Sequence, residues 1–308
     1  MFFEGAEKKF EMSFSPNIGD LRQKSDLFFK NLVNKADASI LSKISNETCT
    51  AYLLSESSLF VWHSRILMLT CGQTTLVNSI EYLKESFSNK DITSLVFQRK
   101  NELNSFDQKT SFNCDLKFLN KIFDGSAFRF GKNHGHHNLL YHINNNFIAS
   151  KDDQTIEFLM YELDSSVSTI LMKSKSENEI RDFLQLDTYF SEFVKNDYMF
   201  EPFGYSLNAI SGEDYLTIHM TPQIDSSYIS IETSLSLIDQ PNILKHFLEI
   251  LKPSSFDLMT FNINLKDNFL QNLYQKRTHY YESLSIGYDV NFAHYYKQEK
   301  NKLQAYKI

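Results

Sequence analysis

The strongest constraint on this chain is a rhythm of short apolar runs that repeats in its two halves. Phe10, Met12 and Phe14 alternate with Glu11 and Ser13, the period of two that predicts a strand. Pro16-Asn17-Ile18-Gly19 ends it, and Asp20 is placed to cap a helix carrying Leu21, Phe28, Leu32 and Val33. Strands are expected over Ala38–Ser45, Thr50–Leu54, Leu59–Trp62 and Arg65–Thr70, then a helix with Leu76, Ile80 and Leu83. Ser94–Arg99, Phe128–Phe130 and Leu139–Ile143 read as further strands, with a short helix over Asp115–Phe123. The second half proceeds alike. Thr155–Leu163 and Ser166–Met172 read as strands, and Ser176–Phe200 has no clear period. Gly204–Ile210 and Tyr215–Thr221 flank Ser211-Gly212-Glu213-Asp214, a hairpin signal. Tyr228–Thr233, a helix opened by Pro241, and strand-like Phe256–Asn264 and Leu284–Tyr296 follow. Long runs of antiparallel-type strands with few helices indicate an α+β fold. No linker separates two independent domains.

Composition agrees with a sheet-rich fold: 27 Phe and 16 Tyr against 9 Gly and 5 Pro supply aromatic core faces. The net charge of −7 argues against a nucleic-acid backbone as partner and suits a small cationic ligand. Cys49, Cys71 and Cys114 form neither a paired framework nor a zinc spacing. No stretch approaches a membrane span and no signal-like apolar run opens the chain, so a soluble, cytoplasmic protein is expected.

The most informative stretch is Tyr52–Val61, YLLSESSLFV. Two short apolar runs enclose Ser55-Glu56-Ser57-Ser58, which by itself reads as a turn. Thirteen residues after Ser58, Cys71 stands in Thr70-Cys71-Gly72-Gln73-Thr74-Thr75, between a strand and a helix start. The chain begins Phe2-Phe3-Glu4-Gly5-Ala6-Glu7-Lys8. Downstream lie Phe203-Gly204-Tyr205-Ser206 and Thr217-Ile218-His219-Met220-Thr221-Pro222. Taken singly, each has a plain structural reading: a turn serine, a buried thiol, a satisfied strand histidine.

Together these motifs resemble the eukaryotic-type S-adenosylmethionine decarboxylases, over nearly the whole chain. The resemblance implies a four-layer α/β/β/α sandwich in one domain spanning residues 1–308. It implies self-cleavage at Glu56–Ser57 into residues 1–56 and 57–308, with Ser57 converted to a pyruvoyl cofactor. That group would form a Schiff base with S-adenosylmethionine and release CO2, supplying the aminopropyl donor for spermidine and spermine. His219 is then the base of the elimination step, Ser206 supports the acyl shift, and Cys71 returns a proton after decarboxylation. Glu4 and Glu7 match acidic active-site residues. Phe3 and Phe200 match the pair around the adenine, and Glu56 lies near the ribose and amino-acid part. Gln223 stands where the family has a ribose-binding glutamate, so the charge is missing. Glu11, Asp153, Thr155, Glu157 and Glu232 match a putrescine site, and Leu69 replaces a lysine common beside it, which removes a cation. A homodimer of processed protomers is compatible with this reading. Gly131-Lys132-Asn133-His134-Gly135-His136-His137 looks like a metal tract but has no acidic neighbour in sequence, so no metal is expected. The alternative function is a catalytically silent regulatory paralogue that pairs with an active decarboxylase.

Overall fold

Sixteen strands form two antiparallel sheets of eight, among the described residues. The computed structural model describes residues 7–100, 108–132, 135–223, 226–265, 270 and 273–298. The first sheet contains β1 (Lys8–Phe14), β2 (Ile40–Ser45), β3 (Thr50–Leu54), β4 (Ser57–Val61), β5 (Arg65–Thr70), β6 (Ile92–Arg99), β7 (Gly125–Gly131) and β8 (His137–Ile143). Its order is β2-β3-β4-β5-β1-β6-β8-β7. The second contains β9 (Thr155–Tyr161), β10 (Val194–Phe200), β11 (Gly204–Ser211), β12 (Asp214–Thr221), β13 (Tyr228–Thr233), β14 (Ser255–Phe261), β15 (Tyr274–Ser283) and β16 (Asp289–Lys297). Its order, β10-β11-β12-β13-β9-β14-β16-β15, repeats the first position by position. The duplicated rhythm of the sequence is thus a duplicated sheet.

Helices cover the outer faces. Helices α1 (Asp26–Lys35), α2 (Leu76–Ser86) and α3 (Phe112–Ile122) lie on the first sheet. Phe29, Leu32, Leu76, Ile80, Leu83 and Leu119 bury there against Phe10, Met12, Leu59 and Met68. The second sheet is covered by α4 (Ser165–Lys173), α5 (Glu177–Leu184), α6 (Leu186–Tyr189) and α7 (Pro241–Leu251). Where the two sheets face each other, apolar clusters sit at either side: Phe60, Trp62 and Leu69 with Tyr215, and Val96 and Leu140 with Phe261 and Phe292. Between them the interlayer is polar, and this polar middle holds the site.

Three local expectations change. Ser166–Met172 is helix, not strand: Asp164 accepts from the Ser166 N–H at 3.0 Å, and Val167 and Leu171, four apart, share the buried face. Leu284–Tyr296 is not one strand. The chain turns over Leu284–Tyr288, with Gly287 at φ +90°, where a side chain would meet the backbone of Ala149. Asp20 caps only a single 3-10 turn, Leu21–Gln23, while Ser25 caps α1.

Candidate active site

Ser57 opens β4 directly after the two-residue connection Ser55–Glu56, because Leu54 pairs with Ser57. Its φ is +140°, a conformation in which a non-glycine residue is strained by about 1–3 kcal/mol. The carbonyl of Glu56, one atom away along the chain, accepts the backbone N–H of Cys71 at 2.8 Å. A donor fixed there favours negative charge on that oxygen. Cys71 reaches this position at the end of β5, where Gly72 at φ +65° turns the chain toward α2.

The second sheet brings the complementary groups. Ser206 and His219 are cross-strand partners on β11 and β12, and His219 pairs in turn with Ser230 on β13. His219 Nε2 lies 2.9 Å from Ser57 Oγ, and its Nδ1 lies 3.0 Å from Ser206 Oγ. Thus Ser57, Cys71, Ser206 and His219, dispersed over 163 positions, meet in the interlayer.

Asn208 lies outside the motifs, and Ser58, Thr217 and the Cys71 N–H are given no role by them. Asn208 Nδ2 donates to the Tyr52 carbonyl at 2.9 Å, which orients the amide. Asn208 Oδ1 then accepts from Ser58 Oγ at 2.5 Å and Thr217 Oγ1 at 3.2 Å. Thr217 Oγ1 also lies 2.9 Å from His219 Nε2, within reach of the ring that faces Ser57. Asn208 and Thr217 each stand two residues from a motif residue on the same strand, so the alternation rule points to them. The Cys71 N–H, a backbone group, carries no sequence signal.

Burial sets the protonation states. It pushes His219 below its ordinary value, with the Glu7 carboxylate opposing, so the ring is neutral near pH 7. It pushes the Cys71 thiol well above its ordinary value, helped by Glu7 and Glu56, so the thiol keeps its proton. Glu56 is half-buried, and burial raises its carboxyl also.

Glu7 is 1% exposed, and its Oε2 accepts from Lys100 Nζ at 2.6 Å and Ser230 Oγ at 3.0 Å. Its Oε1 has no hydrogen-bond partner among the described residues. Lys100 Nζ also stands 3.2 Å from Glu232 and 3.4 Å from Glu157, while Lys9 Nζ is 2.7 Å from Glu232 and 3.0 Å from Glu157. Arg65 reaches Glu11 at 3.6 Å and Asp153 at 3.5 Å. The expectation that Leu69 leaves this acidic cluster without a cation is therefore wrong. Lys9, the β1 partner of Leu69, supplies one from the neighbouring strand. Thr155 lines a cavity of about 20 Å³ with Lys9, Glu11 and Tyr288, room for about one water.

Phe200, at the end of β10, lines a separate cavity of about 310 Å³ with Pro202, Phe203, Met220 and Pro222. Gln223 follows Pro222 directly. Phe3 and Glu4 lie outside the described residues. His136 also departs from expectation: it does have an acidic neighbour, Asp257, at 3.0 Å.

The adenosylmethionine decarboxylase family model matches residues 1–307. The chain belongs to that family. An S-adenosylmethionine decarboxylase proenzyme of Dictyostelium discoideum is 31% identical, covering 97% of this chain and 86% of that protein. The proenzyme of Xenopus laevis is 32% identical over 83% and 82%. That of Drosophila melanogaster is 29% identical over 97% and 96%. The crystal structure of a Trypanosoma brucei AdoMetDC-delta26 monomer superposes with a TM-score of 0.63 at 23% identity. It covers 78% of this chain and 99% of that one, which establishes the shared sandwich fold. The adenosylmethionine decarboxylases are pyruvoyl-dependent carboxy-lyases of polyamine biosynthesis. No described helix is long and apolar enough to cross a membrane.

Proposed function

We propose that this chain is an active, self-processing decarboxylase of S-adenosylmethionine rather than a silent paralogue. One observation carries the reading: the hydroxyl of strained Ser57 sits 2.9 Å from a neutral His219, while the carbonyl it must attack is already held by the Cys71 N–H. Ser57 Oγ adds to the Glu56 carbonyl carbon, its proton passing to the His219–Ser206 pair. The C–N bond then opens, and the amide becomes an ester with a free Ser57 amine. Removal of the Ser57 Cα proton by His219 breaks the Cβ–Oγ bond and frees the Glu56 carboxylate. Water finally replaces the amine as ammonia. The residues present fit this precursor, and the resulting pyruvoyl group supplies the electron sink for loss of CO2. Cys71 holds the proton that returns to the α-carbon, and burial keeps it there. Glu7 Oε1 is open to a donor from the substrate. Phe200 and Gln223 are assigned to the adenosine end, beside the 310 Å³ cavity.

Putrescine has a smaller role than the sequence suggests. Lys9, Lys100 and Arg65 already pair with the carboxylates, and the 20 Å³ cavity has no room for a diamine. We assign the cluster to an internal ion network that holds Glu7.

A denaturing gel with intact mass tests the main reading. Wild type should run as two fragments, the larger blocked by pyruvate. Ser57→Ala should stay intact and inactive. Full decarboxylase activity in uncleaved Ser57→Ala protein would remove the pyruvoyl reading, and an intact, silent wild type would favour the paralogue.

A further inference from the structure

The cross-strand row that carries the catalytic histidine continues across the second sheet. His219 pairs with Ser230, Ser230 with Leu159, Leu159 with Asp257, and Asp257 with His294. Residues directly opposite one another share a face, so all point into the interlayer. Three strands at the usual spacing put Asp257 roughly 14 Å from His219, outside the reaction site. His136, from the connection between β7 and β8 of the other sheet, reaches across to meet it.

The three side chains form a compact donor set. His136 Nδ1 is 3.0 Å from Asp257 Oδ2, and His294 Nδ1 is 2.8 Å from Asp257 Oδ1. The donor atoms all lie within 4.8 Å of one another. The imidazoles stack, with centroids 4.0 Å apart. Tyr161 donates to Asp257 Oδ2 at 2.9 Å and fixes the carboxylate from behind. Asp257 is 1% exposed, and among the described residues its only ion-pairing partners are these two histidines. A carboxylate so deep in the protein is costly unless a cation compensates it. His136 is partly exposed, so the set is open on one side.

We propose that His136, Asp257 and His294 bind one divalent transition ion of the zinc type, clipping the β7–β8 connection of the first sheet onto β14 and β16 of the second. Two imidazoles and one carboxylate select zinc-like ions over magnesium or calcium, which prefer all-oxygen sets. Tetrahedral zinc leaves a fourth position for water on the open side. The imidazoles shift their protons to Nε2, and the ion takes the place between ring nitrogens and carboxylate. A hydrogen-bonded carboxylate is the usual support of such a site, and Tyr161 provides that hydrogen bond. The ion is structural, because the Ser57 chemistry lies three strands away.

The test uses untagged, chelator-treated full-length protein. Zn2+ titrated by calorimetry should bind at one equivalent and raise the melting temperature, reversibly on adding chelator. Co2+ should give the visible absorption of a low-coordinate nitrogen–oxygen site. His136→Ala, in a partly exposed connection, should abolish both signals while the protein still folds. Tyr161→Phe should weaken binding about 10–100-fold. Cys114→Ser and His137→Ala should bind as wild type. No binding by wild type, or undiminished binding by His136→Ala, overturns the proposal. Loss of binding in Cys114→Ser does so too, since it would place the ion on the exposed thiol.

Discussion

Burial acts on Cys71 and His219 alike, favouring the neutral form of each, and this suits one as acid and the other as base. Because His219 is pushed down, self-cleavage should hold its rate from pH 8 through neutrality. It should fall only below the ordinary imidazole value of about 6.5. A stopped time course on freshly refolded precursor at several pH values checks this. An acid limb above pH 7 would mean that His219 is charged at rest. Cys71→Ala should still cleave, since its backbone N–H at the Glu56 carbonyl is retained. Its turnover should fall by about 10²–10⁴-fold, the worth of a positioned general acid. Unchanged turnover would remove the thiol from the mechanism. Gln223→Glu should lower KM several-fold without changing cleavage, because a charged acceptor gains roughly 1 kcal/mol per hydrogen bond. Weaker binding instead would move the ribose elsewhere. The motif residues are legible in sequence because the chemistry demands their side chains. Asn208 and Thr217 are legible only through strand alternation, and the Cys71 N–H not at all.

At the level of elements, adjacent strands correct what one strand suggests. Leu69 reads as a missing cation, yet Lys9 is its register partner on β1 and reaches Glu157 and Glu232. Sequence distance hides this, since Lys9 and Glu157 are 148 positions apart. The error at Ser166–Met172 has a different origin: its apolar residues fit period two and period four equally, and the Asp164 cap decides. The ion network has a direct consequence. Burial lowers the ammonium of Lys9, but Glu157 and Glu232 more than offset it and raise the group. Lys9→Ala leaves Glu157 and Glu232 with Lys100 as their one remaining cation among the described residues, a loss of up to about 3–5 kcal/mol. The variant should melt at a lower temperature. In wild type, millimolar putrescine should change neither melting nor initial rate at constant ionic strength. In Lys9→Ala the vacated space and charge should let putrescine restore part of both. A wild type that putrescine activates would show that the lysines do not suffice.

For the whole molecule, cleavage cuts the chain but not the sheet. β1, β2 and β3 belong to residues 1–56, and β4 follows the cut. Strand β1 does not lie at an edge: it pairs with β5 on one side and β6 on the other, both from the longer fragment. Its outer face buries Phe10 and Met12 under the helices, while Lys9 on its inner face pairs with Glu157 and Glu232 of the second sheet. Withdrawing the small fragment would therefore break three ladders, β1–β5, β1–β6 and β3–β4, together with the outer core and the interlayer ion pairs. The two fragments should copurify as one species on a native column and separate only in denaturant. The longer fragment expressed alone, residues 57–308, should be insoluble. Its first sheet would have β5 and β6 facing a gap, with unpaired backbone groups ready to join another chain. Soluble, monomeric 57–308 with native-like melting would show that β1 is dispensable. The sheet order would then need another account of why the nucleophile and the strand beside it are made as one chain.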